Sequence, residues 1–328
     1  MSNMQRLRLF LAGCAAALTL AACGGGSDSA SNTTTPAVAN TTGNAGGSGG
    51  TAATVPVDAS APALSGDIAT DGLNWINFRR SQIGVAQLTR NATIDQAALG
   101  HSTYQKNNNV VSHEQTAGKT GFTGVQLGDR LAQAGYVFNT NASRAYGEVI
   151  SATTNKSGVF MAEELITAIY HRFVIFEPIF KELGSGAATT SAGYTYFTTD
   201  FAANNGYGAG ISGLVVWPYS GQVSVAPNFF SDYESPDPVP NQNEVGYPVS
   251  VHANINATVT VTSFTIRPRG GSDLTVRLLS RAGDAETPLS AAAIVPLAPL
   301  KAATVYDVSF NGAVNGVAVT KTWSFTTK

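Results

Sequence analysis

Two histidines and three glutamates carry most of the chemistry open to this chain. The stretch Met161 to Lys181, MAEELITAIYHRFVIFEPIFK, begins like an amphipathic helix and closes on His171-Arg172 and a dense apolar run. Glu163 and Glu164 precede His171, and His113 and Glu148 lie upstream. An imidazole takes up a proton or ligates a cation near neutral pH, and a neighbouring carboxylate can serve as general base. A His/Glu set without cysteine suits zinc or a harder ion held partly by water. One constraint limits this reading. In an unbroken helix Glu163 and His171 stand ~12 Å apart along the axis, too far to share a metal at ~2 Å. Either the helix breaks before His171, or Glu163 acts through water, or it is structural.

Each residue also has a plainer role. His101, on a helix beside Ser102, reads as a core histidine that donates to a backbone carbonyl. Glu148 could brace Arg144 or Arg172, and Glu163 and Glu164 oppose a helix macrodipole wherever else they act. Phe173, Ile175, Phe176 and Phe180 read as core, and His252 carries no evident chemistry.

The elements that must position these groups follow a long non-globular start. Arg6 and Arg8 precede an apolar run from Leu9 to Ala22, too short to span a bilayer at ~20 residues, which reads as an export signal over residues 1–22. Leu20-Ala21-Ala22-Cys23 resembles a bacterial lipobox, making Cys23 the expected lipidation site and preferable to Leu11-Ala12-Gly13-Cys14. Both cysteines lie in this region, so no disulfide is expected in the mature chain. Residues 23–64 are Gly, Ser, Thr and Ala rich and read as a disordered tether. Charged residues make up 12% of the chain and the net charge is −2, with no basic stripe, which excludes an electrostatic programme for nucleic acid.

Residues 65–205 read as helices interleaved with short strands. Caps are expected at Thr70 or Asp71, Asn91, Thr123 and Ser157, and strands at Tyr146–Ile150 and Tyr194–Phe201. Residues 206–240 read as a strand plus a Pro-rich connector. Residues 241–328 show only short β-rich runs separated by turns such as Asn315-Gly316, an all-β sandwich pattern. Tyr306 looks like a tyrosine corner, and the closing Thr322-Trp323-Ser324-Phe325 is similar to the end of bacterial Ig-like repeats.

An ordered set of short motifs in the first domain resembles the CAP superfamily of cysteine-rich secretory proteins, antigen 5 and pathogenesis-related proteins, in its disulfide-free bacterial form. The pieces are Ala97-Ala98-Leu99-Gly100-His101-Ser102, Val111-Ser112-His113, Phe122 through Arg130 to Ala134-Gly135-Tyr136, Gly147-Glu148-Val149-Ile150 and Tyr170-His171-Arg172. The chain departs from the family at Val149, where the family has Asn, and lacks the Gly-His-Tyr-Thr-Gln motif. The resemblance implies an α+β fold, a CAP-type α-β-α sandwich followed by an all-β Ig-like sandwich. It also implies a cleft built from His113, Glu148, Glu163 (with Glu164 as rival) and His171, with His113 and His171 as metal ligands where a divalent cation such as zinc is held. Three functions follow as expectations. The first is a lipoprotein, anchored through Cys23 to a bacterial membrane (the outer one favoured), whose cleft binds a small ligand, lipid or divalent ion without clear catalysis. The second is adhesion or envelope scaffolding, in which the Ig-like end contacts cell-envelope polymer or another protein. The third is a metal-dependent hydrolase.

Overall fold

The structure is a computed structural model that describes the backbone of residues 18–23 and residues 60–328. Most of the expected export signal (1–17) and tether (24–59) lies outside the described residues. In chain order the first unit contains β1 (Leu18–Cys23), α1 (Ile68–Gln82), β2 (Thr89–Arg90), α2 (Ala92–Asn108), α3 (Leu127–Gln133), β3 (Ala145–Thr153), α4 (Gly158–Thr167), α5 (Ile169–Ile175), β4 (Glu182–Thr189) and β5 (Thr195–Ala203). The strands form one sheet in the order β1-β3-β5-β4-β2, antiparallel in its centre, with β1 and β2 added parallel at its edges.

Strand alternation divides the sheet into two faces. Val149 of β3 and Phe197 and Phe201 of β5 enter a core with Leu73 and Ile76 of α1 and Met161 and Ala162 of α4. The opposite face meets α2 and α3, with Ile94, Ala97, Leu127, Leu131 and Ala202 in a second core. Helices on both faces of a central sheet make the α-β-α sandwich. Two glycines bring α2 onto β4 at backbone distance. A Cβ on Gly184 would lie 2.2 Å from the Asp95 nitrogen, and one on Gly186 would lie 2.2 Å from that of Leu99.

The helix starts follow cap chemistry. Asn91 Oδ1 accepts from the Thr93 and Ile94 amides, and Ser157 Oγ accepts from that of Phe160. The first helix begins earlier than its expected caps, because Asp67 accepts from the Thr70 amide. Asp71 instead gathers the approaching chain through the Ser65 and Gly66 amides. Thr123 is not a cap either. Gln126 occupies that position in a capping box with Asp129, and Thr123 bonds to Gln115.

The stretch before His171 breaks into two helices. Ala168 leaves the helical region (φ −67°, ψ 123°), ending α4 and starting α5. A carboxylate from a distant segment stabilises the new start. Glu234 accepts from the amides of Ile169 (2.8 Å), Tyr170 (2.7 Å) and His171 (3.0 Å), and from His171 Nδ1 (2.9 Å). Four donors on one buried carboxylate replace the partners that an unbroken helix would have supplied.

The second unit is all antiparallel. It comprises β6 (Val215–Trp217), β7 (Asn228–Phe230), β8 (Glu244–Gly246), β9 (Val249–His252), β10 (Val259–Pro268), β11 (Val276–Ser280), β12 (Ala291–Pro296), β13 (Val305–Val314) and β14 (Val317–Thr326). A three-stranded sheet β10-β13-β14 faces a four-stranded sheet β11-β12-β9-β6, and β7 pairs with β8 alongside. Asn315-Gly316, both at positive φ, turns β13 into β14 with Val314 opposite Val317, the two-residue hairpin expected of that dipeptide. Tyr306 closes the corner by accepting from the Lys301 amide at 2.8 Å.

The region between the two units is packed structure. β6 completes the four-stranded sheet, and the turn Ser231–Tyr233 delivers Glu234 to α5. Phe176, the C-cap of α5, meets Trp217 edge-on at 5.2 Å, and the His252 ring sits 5.8 Å from Phe173 and 5.5 Å from Phe176. Fully buried Arg172 donates to the carbonyls of Ile166 (2.6 Å), Thr167 (3.2 Å) and Pro248 (2.7 Å), and lies 5.1 Å from the Tyr247 ring centre. One hydrophobic core therefore runs through both units. Replacing Arg172 by Leu removes a desolvated cation and orphans these carbonyls, so it is expected to cost about 3 kcal/mol or more. Urea unfolding followed by far-UV circular dichroism and by tryptophan fluorescence checks this. The wild type should unfold in one transition with both probes, and the variant at a lower midpoint.

Candidate functional site

The sheet face covered by α2 and α3 carries a buried polar cluster. Glu148 of β3 is 1% exposed and accepts from His113 Nδ1 at 2.7 Å and from Arg130 of α3 at 2.6 Å. His113 sits on the loop after α2 and is positioned from behind, because Arg130 also donates to its backbone carbonyl at 2.8 Å. The same guanidinium reaches the Val125 carbonyl at 3.3 Å, so one side chain fixes the carboxylate, the histidine and the far end of the loop. His113 Nε2 has no partner among the described residues.

A second layer supports the first. His101 of α2 is fully buried, with Nε2 2.7 Å from the Ser112 carbonyl and Nδ1 2.9 Å from Gln115 Nε2. These partners fix its tautomer: Nε2 donates and Nδ1 accepts. This is the core role its setting implied, with one addition, since Nε2 also lies 3.9 Å from Glu148. Burial holds His101 down to about 4, so it is neutral at pH 7. Burial opposes the charge on Glu148, but the field that His101 exerts once protonated at low pH, the field of Arg130 and the His113 hydrogen bond outweigh it and hold its pKa below the ordinary carboxylate value. Asp200 of β5 faces Glu148 across the ladder and is fully buried. Burial and then the Glu148 charge drive its pKa well above the usual value, so it stays protonated beside an ionised partner.

The four residues expected to share a cleft fall into three places. His113 and Glu148 are together. Glu163 lies on the other side of the sheet, where Arg79 grips both its oxygens at 2.9 and 3.0 Å and Trp75 Nε1 donates at 2.6 Å. Its rival Glu164 is on that side too, accepting from Ser151 at 3.0 Å. His171 is fully buried with Glu234 at the start of α5. The helix does break before His171, but the break serves a cap rather than a ligand set. A divalent cation held jointly by His113 and His171 does not fit this arrangement. Each Nδ1 is engaged by a different carboxylate, and the described residues contain no cluster of three or more His, Cys, Asp or Glu able to hold a metal. Glu148 braces neither Arg144 nor Arg172; its partner is Arg130.

Arg130, Asp200 and Glu234 are the contributors that sequence reasoning did not assign. Arg130 stood inside a quoted motif, and Asp200 sits on an alternating strand opposite Glu148, so both had a local signal. Glu234 had none. The buried histidines bear on pH dependence. His101, held to about 4, and His252, held to about 3 by burial, have folded pKa values below the unfolded one. Their contribution is complete above pH 6.5 and is lost as pH falls towards those values. Stability should drop by up to about 1.4 kcal/mol per pH unit for each histidine below pH 6. Thermal melts from pH 7 to 4 check this, and a His101→Gln variant should show the shallower slope.

Residues 73–201 match the model of the cysteine-rich secretory protein family, CAP. No curated protein matches the chain. Among solved structures it is similar to an extracellular protein containing an SCP domain from Bacillus anthracis str. Ames, at 25% identity over 41% of this chain and 39% of that one, with a TM-score of 0.33. The match thus spans about two fifths of that relative. It is also similar to an outer surface protein of Borrelia burgdorferi, at 13% identity over 40% of this chain and 89% of that one, with a TM-score of 0.34. With its helices on both faces of a mostly antiparallel sheet, the first unit of this chain is a CAP domain.

Proposed function

We propose that this chain is an extracytoplasmic CAP-domain protein that binds a small amphiphile at His113 rather than turning over a substrate. The observation that carries the reading is His113 itself. Its Nδ1 is held by ionised Glu148, its Nε2 is buried and unpartnered, and its side chain as a whole is 19% exposed beside a loop with uncovered apolar residues. Phe122 and Val125 on that loop are 38% and 40% exposed. A polar head that donates a hydrogen bond to Nε2 once the side chains covering that atom part, with an apolar chain on Phe122 and Val125, satisfies both features. The hydrolase reading has less support. Its metal donors stand in separate clusters, and Glu148, the base it would need, is tied to Arg130 and His113.

Monoolein, whose head carries hydroxyl donors, is the probe. Isothermal titration with monomeric lipid should show binding weakened at least tenfold, or about 1.4 kcal/mol, by His113→Ala and by the pair Phe122→Ser/Val125→Ser. Equal binding by wild type and variants contradicts the reading.

Location is part of the same proposal. The Bacillus neighbour is an extracellular protein and the Borrelia neighbour an outer surface protein, and among the described residues no helix is long and apolar enough to cross a membrane. Leu20-Ala21-Ala22-Cys23 supplies the lipid anchor in this reading. Residues 18–23 pair with β3 in the full chain, so cleavage before Cys23 removes most of β1 and opens that sheet edge. Metabolic labelling with a radioactive fatty acid should mark the wild type and leave Cys23→Ser unlabelled and soluble.

A further inference from the structure

The sheet β10-β13-β14 buries one face and leaves the other polar. Phe264, Val308, Phe310, Trp323 and Phe325 point into the core. The alternate positions Thr265, Ser309, Thr322 and Ser324 supply a row of hydroxyls, the floor of a cleft of about 530 Å³. Charges of both signs line it, Arg267 and Arg269 against Asp273 and Asp307. Arg269 is committed to Asp307, with Nη2 to Oδ1 at 2.7 Å. Arg267, in register with Asp307 on the neighbouring strand, is exposed and makes no hydrogen bond or ion pair among the described residues. A second cleft of about 290 Å³, with Ile83, Leu214, Val215, Val216 and Tyr219 in its wall, shares Ser220, Thr322 and Trp323 with the first and continues past Lys321 to Gln82 of the CAP domain.

We infer that this groove is a binding site for an acidic oligosaccharide, independent of the His113 site. Two clefts in line suit an elongated ligand. Hydroxyl-bearing side chains match a polyhydroxylated chain, since each can donate or accept as the sugar requires. The planar guanidinium of Arg267 matches a carboxylate in a two-pronged contact, and Lys321 places a second cation further along the groove. A protein segment would need apolar anchors, and the floor of the larger cleft is hydroxyl and charge.

The test uses the full chain with a hyaluronan hexasaccharide as the acidic probe and chitohexaose as the neutral one, both followed by isothermal titration. The expected result is binding of the acidic chain only, weakened at least tenfold by Arg267→Ala/Lys321→Ala and by raised salt, and unchanged in His113→Ala. Both substituted residues are exposed, so circular dichroism should show an intact fold. Equal affinity for the neutral chain, equal affinity in the double variant, or no binding of the acidic chain at millimolar concentration would overturn the proposal.

Discussion

A carboxylate cannot be buried alone, and Glu148 shows what its burial demands. Its charge is met by Arg130 and His113, and the Arg130 guanidinium extends to the backbone at both ends of the loop that carries His113. Loop, helix α3 and strand β3 are therefore fixed by the need to compensate one charge. Asp200 across the ladder stays neutral because it is buried and because the Glu148 charge is already there. What emerges is a histidine oriented through one ring nitrogen, with the other buried and unpartnered.

A parallel logic joins the two units. Glu234 satisfies the first amides of α5, and Arg172 of that helix satisfies carbonyls reaching to Pro248. The two residues that seal this seam replace solvent on polar backbone groups. The rings of Phe173, Phe176, Trp217 and His252 exclude water around them. The all-β unit is thus a packed continuation of the CAP domain, which places its polar groove at a fixed position relative to α1.

The parts of the fold visible in the sequence are those set by neighbours a few residues away. Asn91 and Ser157 cap helices because a side-chain oxygen reaches an amide two or three positions on, and Asn315-Gly316 sets a hairpin by its own backbone preference. β4 and β12 escape notice for opposite reasons. Glu182–Thr189 carries two glycines that α2 needs for close approach, and Ala291–Pro296 is buried throughout, so neither alternates. In the site, the nearness of His113 and Glu148 was readable from motif order. The roles of Glu163 and His171 were not, because their partners Arg79 and Glu234 lie 84 and 63 residues away. A histidine held by a cap carboxylate and one held for a ligand look alike until the fold brings their partners in.

The tautomer of His113 tests the central claim most directly. Proton–nitrogen correlation spectra of the imidazole at pH 7.5, assigned with His113→Gln, report which ring nitrogen carries the hydrogen. The account predicts a proton on Nδ1, donated to Glu148, and an Nε2 resonance that shifts when monoolein is added. A proton on Nε2, or an Nε2 resonance indifferent to the lipid, would contradict it.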